Sequence, residues 1–135
     1  MKNIRNIKNI KNIKISKDTT IKKALKVIEN GDIKIALVVD NKNKLIGTLT
    51  DGDIRRGFLK GCNINSSISS IINKKPLVAK KTDTKEKLLN NGLSKKIYQI
   101  PVVSSDGKVT GILIIDELLN SKIKSNKVVI MAGGK

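Results

Sequence analysis

The chain has no histidine and no tryptophan, and Cys62 is the single cysteine among its 135 residues. Zinc sites and Ser-His-Asp triads are therefore excluded, because both depend on histidine or on clustered thiols, and one thiol cannot form a disulfide framework. Phe58 and Tyr98 are the only aromatic residues, so the stacked bases of single-stranded nucleic acid would lack a platform. No apolar run approaches the roughly 20 residues of a membrane span. We expect a cytoplasmic protein with an aliphatic core that does not associate with membranes.

The charge is strongly positive, with 28 Lys or Arg residues against 11 Asp or Glu residues and a formal net charge of +17. Such a balance is typical of proteins that bind nucleic acid or anionic membranes. However, 25 of the basic residues are lysine, and isoleucine and asparagine are also abundant, a composition that an A/T-rich coding bias produces as well. With few arginines to contact base edges, we expect no specific nucleic-acid binding. The positive surface should still attract small phosphorylated anions.

An internal repeat organises the chain after residue 13. When the sequence is shifted by 64 residues, it aligns with itself without gaps over about 50 residues. The aligned pairs include Thr20 and Thr84, Leu25 and Leu89, Ile33 and Ile97, Gly47 and Gly111, and Leu49 and Leu113. Two copies of one supersecondary unit are therefore indicated, and we expect a pseudo-twofold axis to relate them.

The sequence of each copy predicts a helix, two strands and a second helix. Apolar residues at helical spacing indicate the helices, and continuous apolar runs indicate the strands. In the first copy these elements are expected at 21–28, 35–39, 45–49 and 51–60, with Thr20 as a helix cap. In the second copy they are expected at 84–91, 100–103, 109–114 and from 116 onward, and a short helix over 66–72 joins the copies. One such unit buries too little apolar surface to be stable alone. The sequence therefore predicts an α/β fold in which the two copies pack sheet to sheet.

The end of the first copy resembles the signature of a CBS domain. It runs from Leu37-Val-Val-Asp to Gly47-Thr-Leu-Thr-Asp-Gly-Asp-Ile-Arg-Arg, a strand pair with a glycine, then a threonine and an aspartate three residues apart. The second copy, with Ile100-Pro-Val-Val and Gly111-Ile-Leu-Ile-Ile-Asp-Glu-Leu, resembles it more loosely. The resemblance implies a tandem CBS pair, or Bateman module, that senses an adenosine-type nucleotide such as AMP, ADP or ATP. It also implies a homodimer formed through helical faces.

The expected organisation follows the repeat. Residues 1–13 are a low-complexity basic lead-in with isoleucine at every third position, either a basic arm or a poorly ordered segment. The first CBS motif is expected at 14–62, a linker helix at 63–75 and the second CBS motif at 76–122. Residues 123–135 are expected to be a linker and the truncated start of another domain.

The first copy carries the main candidate site. Thr50 and Asp53 share the first turn of a predicted helix, where unpaired N–H groups favour a phosphate. The Thr50 hydroxyl can donate to a phosphate or a ribose, and the Asp53 carboxylate can accept both hydrogens of a ribose diol; in the family the matching residues serve a nucleotide in this way. Gly47 allows another element, or a ligand, to approach closely, and we place Ile35 and Leu37 in the same site. The alternative interpretation is that Thr50 and Asp53 only cap the helix.

A second candidate site involves Tyr98, Gly111 and Glu117 in the second copy. There the threonine position is occupied by Ile114 and the aspartate position by the longer Glu117, which puts a ribose site in doubt. Tyr98 could stack on a base or simply close the core. Because of this asymmetry, we expect one dominant nucleotide site, in the first copy.

The charges next to these positions bear on the phosphate. In CBS pairs the two sites face each other, so Ile115 and Asp116 are expected to approach a phosphate bound at the first copy. Asp116 would repel it, which favours a nucleoside or a monophosphate over a triphosphate. Arg55 and Arg56 follow Asp53 on the same helix and either assist binding or form a solvated face or a dimer contact.

The tail, Lys127-Val-Val-Ile-Met-Ala-Gly-Gly-Lys135, is an apolar run that ends in a glycine pair. It resembles the opening strand and phosphate-binding loop of sugar-phosphate nucleotidyltransferases; the alternative is an ordinary terminal strand. We expect a non-catalytic regulatory piece that senses a nucleotide or nucleotide-sugar and modulates an attached nucleotidyltransferase. Two alternatives remain at this point, a dimerisation scaffold without ligand and a nonspecific nucleic-acid-binding module.

Overall fold

The computed structural model describes residues 10–31 and 33–116. The first copy contains the strands β1 (Lys14–Ile15), β2 (Ile35–Val39) and β3 (Leu45–Thr50) and the helices α1 (Ile21–Asn30) and α2 (Asp51–Leu59). The second copy contains β4 (Ala79–Lys80), α3 (Lys85–Lys95), β5 (Gln99–Val103) and β6 (Val109–Ile114). Most of the lead-in, nearly all of the helix expected from 116, and the tail expected at 123–135 lie outside the described residues. Over the described ranges, no helix is long and apolar enough to cross a membrane.

Each copy forms a three-stranded sheet, with the strand orders β1-β2-β3 and β4-β5-β6. In both sheets the last two strands form the predicted antiparallel hairpin. The pairing register of each hairpin shifts at the same aligned position, between Val38 and Val39 in the first copy and between Val102 and Val103 in the second. The first strand of each sheet lies parallel to the second. Strands β1 and β4 were not predicted, because two residues carry no periodicity.

The helices begin at the caps that the sequence indicates. The Thr20 side chain accepts the N–H of Lys23, and the Thr84 side chain accepts the N–H of Lys87. Helix α3 ends at Lys95, four residues beyond the predicted end at Asn91. The linker, in contrast, contains only a short 3-10 helix, Ile68–Ser70, where a longer helix was predicted.

Helix α3 runs past the predicted end because Gly92 lies inside it as a packing position. A Cβ atom there would lie 2.9 Å from the carbonyl oxygen of Ile97 and 3.0 Å from the Cδ1 of Ile115. The missing side chain therefore lets the helix contact the chain that follows it, and this requirement outweighs the low helix propensity of glycine.

The two hairpins bond to each other around the predicted pseudo-twofold axis. The N–H of Leu45 donates to the carbonyl of Gly107, and the N–H of Val109 donates to the carbonyl of Asn43, both at 3.0 Å. These bonds exchange under the 64-residue shift, because Asn43 aligns with Gly107 and Leu45 with Val109. The bridge between Lys44 and Lys108 marks the axis.

A shared core joins the copies. Ile35 and Leu37 of the first sheet pack with Val103, Val109 and Ile112 of the second in one buried cluster. Each copy also has its own cluster, under α1 and α2 in the first and under α3 in the second. The predicted sheet-to-sheet packing is therefore confirmed.

Candidate functional site

A cleft of about 470 Å³ lies between the two copies. Three parts of the chain converge on it: the junction of β3 and α2, the linker, and the junction of α3 and β5. The cleft is lined by Ile35, Thr48, Thr50, Asp53 and Arg56 from the first copy, by Asn73 from the linker, and by Pro76, Leu77, Lys95, Lys96, Ile97, Tyr98, Gln99 and Pro101 from the second copy. It therefore combines both copies in one site.

Thr50 and Asp53 form a reciprocal cap at the start of α2. The backbone N–H of Thr50 donates to the Oδ2 of Asp53 at 2.9 Å, and the Thr50 hydroxyl donates to the same oxygen at 3.1 Å. The N–H of Asp53 is 3.4 Å from the Thr50 hydroxyl oxygen, which accepts it. This capping box satisfies groups that a helix end leaves unpaired. The structural role that the sequence allowed for the pair is thus present, and it holds both side chains at the cleft wall.

The second carboxylate oxygen of Asp53 is also in contact. The Nη2 of Arg56 lies 2.7 Å from its Oδ1. The side chain of Asp53 is 14% exposed and that of Arg56 is 65% exposed, so the carboxylate is largely covered while the arginine at the cleft is open to solvent. Arg55 instead pairs with Asp51 at 2.7 Å, and neither of those residues lines the cleft.

Four further predicted site residues belong to the strands β2, β3 and β6, and among these four only Ile35 lines the cleft. Ile35 lines it, whereas Leu37 is fully buried in the shared core. Gly47 contacts the linker: a Cβ atom at this position would lie 2.4 Å from the carbonyl oxygen of Asn73. The sequence allowed either another element or a ligand to approach Gly47 closely, and the structure shows the approach of another element, the linker. Gly111 lies in β6 opposite Val102 and is not part of the cleft lining.

Tyr98 lies in the same cleft as Thr50 and Asp53, not at a separate place. Tyr98 is 43% exposed and lines the cleft, so it is available to a ligand in the first-copy site. Sequence alone assigned Tyr98 to a second site because it belongs to the second copy. Glu117, its predicted partner, lies outside the described residues.

The expected neighbours of a phosphate are replaced by others. Ile115 has no exposed surface and packs in the core of the second copy, and Asp116 is not part of the cleft lining. The expectation that Asp116 faces this site stays a prediction, and the described lining supplies Lys95 and Lys96 instead. Sequence reasoning missed both lysines, because their place at the cleft depends on how the two copies pack. Lys96 has a left-handed backbone, with φ of 57°, which is unfavourable for a residue other than glycine.

The arrangement suits an anionic organic ligand better than a metal ion. It offers one carboxylate, two threonine hydroxyls, the aromatic ring of a tyrosine and three cationic side chains. Among the residues that the structure describes, no three Asp, Glu, His or Cys side chains gather closely enough to hold a metal ion. A ligand with hydroxyl groups, an apolar ring and a negative charge fits this set of contacts.

Curated relatives include an uncharacterized protein of Helicobacter pylori strain J99, which is 32% identical over 115 residues, covering 82% of this chain and 34% of that protein. The inosine-5'-monophosphate dehydrogenase of Aquifex aeolicus is 30% identical over 109 residues, covering 80% of this chain and 22% of the enzyme. The chain thus spans about a third of the length of these relatives or less.

Among solved structures, CBSX2 in complex with AMP is similar, with a TM-score of 0.74 at 20% identity, covering 89% of this chain and 94% of that chain. This likeness shows the same fold. The family model "CBS domain" matches residues 4–60 and 68–124, one match for each repeat. The chain is therefore a CBS pair and belongs to the CBS domain family.

Proposed function

We propose that this CBS pair is a regulatory module that binds one adenine-type nucleotide in the cleft between its two copies. The observation that carries the proposal is the meeting of Asp53, Tyr98 and Lys96, from separate parts of the chain, on one cleft of about 470 Å³. That volume falls within the range of small-molecule sites. The similar structure of CBSX2 contains AMP, which supports this ligand class.

The side chains divide the cleft by chemistry. The Asp53 carboxylate accepts hydrogen bonds from the ribose hydroxyls, because an ionised carboxylate can only accept and the hydroxyls can donate. The exposed ring of Tyr98 offers an apolar face to a base. Lys95 and Lys96 neutralise phosphate charge, so we now propose that diphosphates and triphosphates bind as well as monophosphates.

We propose a single site for each chain. Thr50 and Asp53 line the described cleft, whereas their aligned positions in the second copy are Ile114 and Glu117. Ile114 has no hydroxyl to donate, so the pseudo-symmetric position lacks half of the polar pair. A stoichiometry of one ligand per chain follows.

We further propose that the module modulates a catalytic domain attached to it. The likeness of residues 127–135 to a nucleotidyltransferase loop supports that enzyme class, and the chain spans only 22% of a dehydrogenase relative, which supports an attached enzyme of some kind. A bound nucleotide regulates only if its affinity differs between two states of the whole protein.

Isothermal titration calorimetry with adenosine, AMP, ADP, ATP and their guanine counterparts tests the binding proposal. We expect one site per chain for at least one adenine nucleotide. Asp53→Asn keeps an oxygen for the Thr50 N–H but loses an acceptor for ribose, so affinity should fall at least about tenfold. Thr50→Val should cost less, since one neutral hydroxyl is lost.

Asp51→Asn is the matched control, because Asp51 lies in the same helical turn and is exposed outside the cleft. This variant should bind as the wild type does. Two equal sites per chain, or equal losses in the Asp51 and Asp53 variants, would contradict the site assignment. Absence of binding across the whole panel would contradict the function.

A dimerisation scaffold is the second candidate, and the exposed end of α2 favours it. Leu59 is 83% exposed and Phe58 is 40% exposed, which is unusual for adjacent large apolar side chains. In sedimentation equilibrium we expect a homodimer, and Leu59→Glu should shift it toward the 14.8 kDa monomer. A wild-type protein that stays monomeric at high micromolar concentration would exclude the scaffold.

A further inference from the structure

Both carboxylate oxygens of Asp53 already have partners in the cleft as described. Oδ2 accepts two hydrogen bonds from Thr50 in the capping box. Oδ1 accepts the Nη2 of Arg56 at 2.7 Å. A ribose diol needs two acceptor positions, so a ligand must either share Oδ1 with Arg56 or displace the guanidinium. The Arg56 contact is therefore the part of the site with which a ribose competes.

The position of Arg56 follows from the first turn of α2. A Cβ atom at Gly52 would lie 3.3 Å from the Nη1 of Arg56, so the guanidinium folds back over a residue that has no side chain. The neighbouring Arg55 extends the other way, to Asp51, and both of those side chains are largely exposed. Only one of two adjacent arginines thus lines the cleft.

We propose that Arg56 makes ligand binding in this cleft depend on phosphate, by blocking the acceptor of Asp53 until a phosphate draws the guanidinium away. This inference rests on the proposed function and adds a specificity-determining residue to it. A nucleoside that displaces Arg56 leaves the guanidinium without its carboxylate partner. A nucleotide supplies a new partner, because guanidinium binds phosphate with charge-assisted hydrogen bonds.

The energetics allow this exchange. Arg56 is 65% exposed, and ion pairs of such exposure contribute little to stability. Opening the pair therefore costs a nucleoside some affinity, whereas a phosphate offsets that cost with its own contact to the guanidinium. The carboxylate that is released remains fixed by Thr50, so the acceptor is already in place for the ribose. Lys95 and Lys96 line the same cleft, so it offers a phosphate two cationic side chains in addition to Arg56.

Calorimetry of wild type, Arg56→Gln and Arg55→Gln with adenosine, AMP and ADP tests the inference. In Arg56→Gln, the affinity for ADP should fall about five- to thirtyfold, the effect of one partly exposed charge-assisted contact. The affinity for adenosine should stay the same or rise, because Asp53 is no longer blocked. Arg55→Gln is the matched control and should preserve the wild-type preference for ADP over adenosine. Arg56→Lys, which keeps the charge, should retain part of that preference.

The outcomes separate the inference from the function on which it rests. If wild type binds adenosine as tightly as ADP, or if Arg56→Gln weakens both ligands equally, the role of Arg56 is wrong while nucleotide binding stands. The same holds if Arg55→Gln loses the preference to an equal degree. If wild type binds no ligand of the panel, the proposed function itself fails.

Discussion

Replacement of Gly47 by alanine should destabilise the protein strongly, because the linker lies directly against this glycine. A Cβ atom at position 47 would lie 2.4 Å from the carbonyl oxygen of Asn73 and 2.4 Å from the Cγ2 of Ile72. Ile72 is a side chain and can move, but the Asn73 contact is with backbone. Strand β3 and the linker must therefore separate in the variant.

The cost can be worked out from the bonds that this separation breaks. Thr48 donates its N–H to the carbonyl of Asn73 at 3.0 Å, and Asn73 donates back to Thr48 at 2.9 Å. Thr48 is buried, at 4% exposure, so the lost partners are not fully replaced by water. At about 1–3 kcal/mol for each buried group left unpaired, we expect Gly47→Ala to lower the free energy of unfolding by about 2–4 kcal/mol.

Urea unfolding followed by circular dichroism measures this change. With an m-value of about 1–3 kcal/mol/M, the midpoint should fall by about 1–2 M. Gly52→Ala is the matched control, since its nearest neighbour is the flexible Arg56 side chain at 3.3 Å, and alanine is the better helix former. We expect the control to change stability by less than about 1 kcal/mol. If Gly47→Ala costs no more than Gly52→Ala, the close contact with the linker is not what fixes this glycine.

Three further predictions concern the backbone, the turn and the charge. Lys96→Gly should raise the melting temperature by about 4 °C, because it relieves roughly 1 kcal/mol of left-handed strain, and calorimetry should show weaker ADP binding; a variant that binds ADP as wild type does would contradict the role of Lys96. The N–H of Lys44 lowers the pKa of Asp40 below its ordinary value of 3.8, so the ionised carboxylate stabilises the fold above that value and loses its effect as the pH falls through the lowered pKa. Melting temperatures measured from about pH 5 to pH 3 should therefore fall more steeply in wild type than in Asp40→Asn, and equal slopes would contradict this. In about 0.15 M salt, DNA and RNA should bind no more tightly than about 10⁻⁶ M and without sequence preference, whereas a nanomolar specific site in a filter-binding assay would refute this.

Most of the fold could be predicted because each copy repeats the same local signals. Two matching patterns fixed the hairpins, and Thr20 and Thr84 correctly marked the helix starts. What the sequence did not reveal depends on contacts distant along the chain. The parallel strands β1 and β4 form only where a neighbouring strand is present, and α3 extends because Gly92 packs against Ile97 and Ile115.

The candidate site divides in the same way. Thr50 and Asp53 were predictable, since their spacing within one helical turn is a local feature. That Tyr98 and Lys96 join them was not predictable, because it depends on how two copies pack across the pseudo-twofold axis. Arg55 and Arg56 extend in different directions because each pairs with a different carboxylate in the first turn of α2, Arg55 with Asp51 and Arg56 with Asp53.

The most direct test of the central claim uses Tyr98 itself. It is the single tyrosine of a chain without tryptophan, and it lines the cleft, so its fluorescence reports on that site alone. Titration with AMP or ADP, corrected for nucleotide absorbance, should change the emission saturably, with a midpoint equal to the calorimetric Kd and a much weaker response in Asp53→Asn. Calorimetric binding that leaves the Tyr98 emission unchanged would place the ligand elsewhere and contradict the account.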